Sequence, residues 1–233
     1  MLFFILAESA LETIPRSLWK HPAIKRYSEK YGKHPRFILL DRSYHHTAMK
    51  KLSQDWKTGR PDIVHFTLLE ALGSPLNKEG KLQVFVHTIK DFVITVNPKT
   101  RLPRNYNRFI GLIEQLIELG RVPSTEPVLL KIERKTLTQL LDSIKPTSVV
   151  AFSRTGEPYT LEETSLKLSS EERPVVIVGG FPKGHFSETI TKLANKIVCI
   201  DPETLETWNV ASRVLYEYER SISLPKKRLQ QRL

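Results

Sequence analysis

The run RPVVIVGG, residues 173–180, sets Val175, Val176, Ile177 and Val178 in a row with no polar residue among them, then two glycines. A strand with one face in water alternates apolar and polar positions. An unbroken β-branched run is instead buried on both faces, the mark of an interior strand in a sheet covered by helices. The glycines at its carboxyl end stand where open α/β sheets bind ligands, because a backbone without Cβ can turn tightly or approach a ligand closely.

The rest of the chain fits that frame. LFFILA at the start reads as a first strand and RFILLD (36–41) as another, ending at Asp41, Arg42 and Ser43. PDIVHFTLLEALG (61–73) is helical, with Pro61 suited to a first turn. LQVFVHTIKDFVITV (82–96) reads as two strands joined tightly at Lys90 and Asp91, so part of the sheet is antiparallel or carries a projecting hairpin. VLLKIER, TLTQLLDSIK and SVVAFSR form strand, helix and strand. SETITKLAN, KIVCI and LETWNVASRVLYEYERSI follow as helix, strand and closing amphipathic helix. GEPYTLEETSLKLSSEER, from Gly156 to Arg173, is polar and acid-rich and reads as an exposed excursion, and the basic tail PKKRLQQRL as a frayed end. The expected class is α/β with a mostly parallel sheet and a small β-hairpin/helical extension.

Several functions are disfavoured. Cys199 is the lone cysteine, which excludes an intramolecular disulfide and a thiolate-rich metal site; in KIVCI it reads as a small buried apolar residue. The seven histidines, among them His45, His46, His65, His87 and His185, show no metal-ligand spacing, so no metal is expected. The apolar start is preceded by no basic residue and interrupted by Glu8 and Glu12, and no apolar segment approaches the roughly 20 residues of a membrane span. A soluble, cytoplasmic protein without a membrane partner is the expectation.

Charge points to a partner. Thirty-six Lys and Arg against 25 Asp and Glu give a net charge of +11, suited to a polyanion such as nucleic acid. The excess is local: ten cations from Arg16 to Lys51 face only Glu29 and Asp41, and Phe92 to Ile113 holds four cations and no acid. In TRLPRNYNRFIGLIEQL, residues 100–116, Arg101, Arg104 and Arg108 crowd a helix entrance, where cations oppose the macrodipole and call for a counter-anion. Arg104 and Arg108, four apart, are expected on one helix face, with Phe109, Ile110, Ile113, Leu116 and Ile117 opposite as its apolar anchor.

The loop VGGFPKGHFS comes close to a phosphate-binding P-loop, since Gly179 and Gly184 have the right separation, but His185 and Phe186 replace its lysine and hydroxyl. No GxGxxG fingerprint is present. A tight structural turn and a ligand loop both remain open at this point.

Taken together, VVIVGGFPKGHFS and IVCIDPETLETWNVASRVLYEYE resemble the C-terminal half of SPOUT methyltransferases. LDRSYHH, RPDIVHFTLLEALGSPLN, VFVHT and NPKTRLPRNYNRFIGLIEQL narrow the resemblance to the ribosome-biogenesis family that methylates N1 of pseudouridine in small-subunit ribosomal RNA. It runs from about Leu2 to Arg220. What it implies is a single SPOUT-like domain over 1–220, with RNA-binding features mainly in 36–120, a deep trefoil knot holding S-adenosylmethionine over about 174–220, and a basic tail at 221–233. It also implies a homodimer acting on small-subunit ribosomal RNA, or alternatively a non-catalytic RNA-binding assembly factor. Cofactor contacts fall on Gly179 and Gly184 and on the second loop, Ile200, Asp201, Pro202, Glu203, Thr204 and Leu205, with Val210 as a further apolar wall; Trp208 is either a stacking group or helix packing. The RNA-binding arginines are Arg60, Arg101, Arg104 and Arg108, with Asp41, Arg42 and Ser43 as candidate walls of the RNA site. Asp62 is the candidate to orient or deprotonate the target base, with Arg60 as charge partner or phosphate clamp, and the alternative for Asp62 is a structural first-turn acid paired with an arginine.

Overall fold

Val175 to Val178 lie in the middle of an eight-stranded sheet in the computed structural model, which describes residues 1–53 and 55–230. The strands are β1 (Leu2–Ser9), β2 (Leu82–Thr88), β3 (Phe92–Val96), β4 (Arg121–Val122), β5 (Leu130–Arg134), β6 (Ser148–Pro158), β7 (Pro174–Gly179) and β8 (Lys196–Cys199). Their order across the sheet is β4-β5-β3-β2-β1-β7-β6-β8. β1 pairs in parallel with both β2 and β7, so that Phe4 stands opposite Val84 on one side and Val176 on the other. β6 continues the parallel half to β7 and β8, while β2, β3, β5 and β4 form the antiparallel half. The expected hairpin is thus β2–β3, part of the main sheet.

Ten α-helices among the described residues surround it: α1 (Pro22–Tyr31), α2 (Arg42–Met49), α3 (Pro61–Gly73), α4 (Pro75–Lys78), α5 (Tyr106–Leu119), α6 (Leu137–Ile144), α7 (Leu161–Ser169), α8 (Glu188–Leu193), α9 (Thr207–Ser221) and α10 (Leu224–Gln230). Successive strand residues point to opposite faces, and both faces are apolar. Phe4, Leu6, Val176 and Val178 pack with Val64, Leu68, Phe109, Ile113, Leu116, Val214 and Leu215 of α3, α5 and α9. Ile5, Ala7, Val175 and Ile177 pack with Leu137, Leu140, Leu141 and Ile190 of α6 and α8. A third cluster, with Ile24, Ile38, Leu40, Ala48 and Met49, joins α1 to α2.

Four local expectations change. RFILLD is not a sheet strand: Pro35, which has no N–H and a fixed φ, opens a 3-10 turn over Pro35–Phe37, and Leu39 makes only an isolated antiparallel bridge to Thr13. Its Ile38, Leu39 and Leu40 are buried nonetheless. The supposed excursion is the end of β6 followed by α7, whose Thr160 and Glu163 form a reciprocal capping box and whose Thr164, Ser165 and Leu168 are buried. The tail is helical over Leu224–Gln230, docked through buried Leu224 and through Arg228, which bonds the Pro75 carbonyl and pairs with Glu79; residues 231–233 lie outside the described residues. Cys199 is half-buried, not buried, and its thiol is turned to the Asp201 carbonyl at 3.2 Å.

Two buried titratable groups sit where the α1–α2 unit meets the sheet. Glu12 accepts a hydrogen bond from Gly59 N at 2.8 Å, and burial pushes its carboxyl up to about 7, against the lowering influence of that bond and of Lys90. His45 accepts from Asp41 N at 3.0 Å, and burial pushes its imidazole down to about 4, with Asp41 opposing. The signs are opposite. Below its raised pKa folded Glu12 keeps a proton that the unfolded chain has released, so stability falls as pH rises from about 4.5 to 7. Folded His45 refuses a proton that the unfolded chain takes up, so stability falls as pH drops from about 6.5 to 4. Glu12→Gln removes the first effect alone. Urea denaturation should show its stability gain over the parent growing from near zero at pH 4.5 to roughly 3 kcal/mol at pH 7.5; a pH-independent difference would contradict the burial of a titrating carboxyl.

Candidate active site

The carboxyl ends of β7, β6 and β8 open onto a cavity of about 400 Å³. Its walls are the glycine loop, including Gly179 and Gly184, and facing it the second loop with Ile200, Asp201, Glu203, Thr204 and Leu205. Pro202 lies in that loop but does not line the cavity. Thr207, in the first turn of α9, donates its hydroxyl to the Gly179 carbonyl at 2.9 Å and ties the two loops together. The glycines are required by geometry. Gly184 has φ +96° and lies against the Trp56 ring where a Cβ would stand, while Gly180 pairs with Ala7 and Ala10 so closely that a Cβ would enter Ser9.

One buried cation supports the glycine loop. Lys57, 6% exposed, places Nζ 2.5 Å from Glu8 Oε2, donates to the His185 carbonyl at 2.9 Å, and lies 4.1 Å from the centre of the Phe181 ring. The other Glu8 oxygen accepts from Ser187 N at 3.1 Å. The end of β1, the segment before Arg60 and the loop after β7 are thereby joined.

Arg60 borders the same cavity. Gly59, at φ +69° and with Met49 filling the space a side chain would need, is held by Glu12 and by its carbonyl on Arg42 N. Asp62 then fixes the guanidinium with both oxygens: Nε to Oδ1 at 2.8 Å and to Oδ2 at 3.1 Å, and Nη2 to Oδ2 at 2.8 Å. This hydrogen-bonded pair raises the Arg60 pKa further, with Glu206 adding to the effect. A carboxylate so occupied orients a cation; it is poorly placed to take a proton from a base.

Arg101, Arg104 and Arg108 are exposed and make no side-chain hydrogen bond or ion pair among the described residues. Asn105 caps α5 by accepting from Arg108 N at 3.1 Å, so Arg101 and Arg104 precede the helix and only Arg108 is in it; the expected shared helix face of Arg104 and Arg108 is not formed. The anchor is as expected in part: Phe109, Ile113 and Leu116 are buried, Ile110 and Ile117 partly so. His65 of α3 fixes the lead-in, its Nε2 on the Pro103 carbonyl at 2.7 Å and its ring stacked on Phe109 with centroids 4.4 Å apart. Trp208 is helix packing, edge-on to Phe66 of α3 at 5.2 Å.

Residues 4–219 match the EMG1/NEP1 methyltransferase family. The chain belongs to that family. It is 44% identical over 219 residues to the ribosomal RNA small subunit methyltransferase Nep1 of Thermococcus onnurineus, covering 94% of this chain and 98% of that protein. With the Nep1 of Pyrococcus furiosus it shares 45% identity, covering 94% and 96%. The crystal structure of Archaeoglobus fulgidus Nep1 bound to S-adenosylhomocysteine superposes with a TM-score of 0.84 at 39% identity, covering 94% of this chain and 98% of the other.

The cavity has walls that motif spacing does not flag. Phe152, Ser153 and Arg154, at the bend of β6, line the cavity although SVVAFSR reads only as a strand. Lys57 and Glu8, 49 residues apart, carry no local signal of their pairing. Lys57→Met would leave Glu8 buried without its cation and should lower stability by about 3–5 kcal/mol in urea denaturation, while Glu8→Gln/Lys57→Met should recover much of it. Equal losses in the single and double variants would show that the pair is not the source.

Proposed function

We propose that the chain is an S-adenosylmethionine-dependent methyltransferase that modifies N1 of a pseudouridine in small-subunit ribosomal RNA and serves the biogenesis of that subunit. The observation that carries this is one cavity framed by two loops with the fixed guanidinium of Arg60 at its edge and three exposed arginines on the neighbouring α5 entrance. The residues suit such a cofactor: Gly179 and Gly184, whose Cβ positions are taken by the Phe181 and Trp56 rings, let the loop fold tightly at the cavity edge, Ile200, Leu205 and Val210 offer apolar walls, and Asp201, Pro202, Glu203 and Thr204 complete the facing loop.

When bound, the cofactor supplies an electrophilic methyl group on sulfonium sulfur. The protein's part is to hold the target nitrogen in line with it and to keep the RNA in place. Arg60 and Arg101, Arg104 and Arg108 grip phosphates, to which guanidinium forks are matched. Asp62 acts on the chemistry through Arg60, as a positioning residue.

A homodimer belongs to the same proposal. Phe66 and Tyr216, 44% and 57% exposed on the outer sides of α3 and α9, together with Trp208 between them and the cavity loop, offer an apolar surface to a second copy. The deep knot is likewise proposed, supported by the way β6 is flanked by β7 and β8 and by the Thr207 link between the two loops. Work in the cytoplasm is the proposed setting; among the described residues no helix is long and apolar enough to cross a membrane, and no cluster of three His, Cys, Asp or Glu stands ready for a metal.

Labelled S-adenosylmethionine should pass its methyl to an RNA oligomer carrying pseudouridine and not to the uridine counterpart. Gly184→Arg, which drives a side chain into Trp56, should abolish cofactor binding and leave RNA affinity within about twofold. Arg104→Glu should weaken RNA at least tenfold, reduce the salt slope of binding by about one unit, and leave cofactor affinity unchanged. Normal RNA binding with no methyl transfer to either oligomer would favour the non-catalytic assembly factor.

A further inference from the structure

No residue of the basic segment from Arg16 to Lys51 lines the cavity, and none is among the four gripping arginines. Folded, it presents α1 and α2 side by side with an aromatic cluster between them. Tyr27 lies 4.5 Å from Tyr31 and 5.5 Å from Tyr44, centroid to centroid, and Tyr31 and Tyr44 are 53% and 48% exposed. Exposed tyrosines in a cluster are unusual on a surface with no further duty.

The chemistry around them is one-sided. On α1, Arg26 and Lys30 are four residues apart and exposed, as Tyr27 and Tyr31 are four apart on the adjoining stripe. Lys30 Nζ stands 5.2 Å from the Tyr31 ring and Arg26 has no ion pair among the described residues. The two acids of the segment give little opposition. Asp41 is buried, with Ser43 N and the Tyr106 hydroxyl on its carboxylate at 2.8 and 2.6 Å, leaving Glu29.

Those same contacts join the cluster to the grip. Asp41 caps α2, which carries Tyr44, and its partner Tyr106 sits between Arg104 and Arg108. Glu114 of α5 pairs with Lys33 at 2.7 Å and accepts from Leu39 N at 3.0 Å, fixing α5 against the connection between α1 and α2. Arg104, Tyr106, Tyr44, Tyr27 and Tyr31 therefore follow one another from the grip outward.

We propose that the α1–α2 surface is a second RNA-contact surface that holds unpaired nucleotides flanking the target, stacking bases on Tyr31 and Tyr44 and pairing phosphates with Arg26 and Lys30. This rests on the RNA substrate proposed above. Half-exposed rings beside cations without ion pairs among the described residues suit single-stranded RNA, whose bases are free to stack; a duplex would offer only its backbone.

The test compares a minimal target hairpin with the same hairpin extended by single-stranded nucleotides. The parent protein should bind the extended RNA more tightly. Tyr31→Ala/Tyr44→Ala should cost about tenfold or more for the extended RNA, the scale of one stacked base, and stay within twofold for the minimal one. Arg26→Gln/Lys30→Gln should lower the salt slope for the extended RNA by roughly 1.4, two single-strand phosphates. Both variants change exposed groups, and thermal melts should match the parent. Equal affinity of the parent for both RNAs, or an unchanged preference in the tyrosine variant, overturns the second surface. Arg104→Glu is the separating control: if it spares both RNAs the grip itself is misassigned, whereas if it weakens both and the tyrosine variant neither, only the second surface falls.

Discussion

An ammonium group buried between Glu8, the His185 carbonyl and the Phe181 ring holds together three segments that the sheet alone would leave independent. Charges are withdrawn from water at a cost of several kcal/mol each, offset only when geometry and hydrogen bonds are complete. Here they are: each Glu8 oxygen has a donor, and Lys57 has a carboxylate, a carbonyl and a ring face. The consequence is mutual dependence. The loop after β7 keeps its shape because residues 55–60 lie against it, and that segment keeps its course into Arg60 because the loop supplies Lys57 with partners.

The two halves of the sheet divide the remaining work. The parallel half places the carboxyl ends of β1, β7, β6 and β8 beside one another, which is why two loops far apart in sequence share a cavity. The antiparallel half leads into and out of α5, whose inner residues Phe109, Ile113 and Leu116 anchor it and leave its entrance in water. α3 connects the halves, with Arg60 at its start by the cavity and His65 one turn later on the arginine lead-in.

Much of this was legible because it is local. Continuous apolar runs specify β1 and β7, period 3.6 specifies α5 and α9, and two glycines after an apolar strand mark the cavity. Where the structure departs from expectation, polar or basic composition masks a local pattern. The polar stretch after Gly156 hides Thr160 and Glu163 at capping-box spacing, and the basic tail hides Leu224, one residue sufficient to dock a short helix. Asn105 at an N-cap position was a signal that α5 begins after Arg104. Contacts such as Lys57 with Glu8, Tyr106 with Asp41 and Lys33 with Glu114 depend on how distant segments meet, which no spacing rule encodes.

The hydrogen bond from His65 to Pro103 bears on the thermodynamics of encounter. Fixing one residue's backbone costs about 1–2 kcal/mol in entropy, and in the Arg101–Arg108 lead-in that ordering is already accomplished when the domain folds, before any polyanion arrives. A disordered basic segment would surrender that freedom on each binding event and would mould itself to many shapes. If these arginines hold RNA as proposed, a lead-in fixed in this way would surrender mainly side-chain freedom and would reject by steric misfit those polyanions whose phosphates do not fall at its spacing.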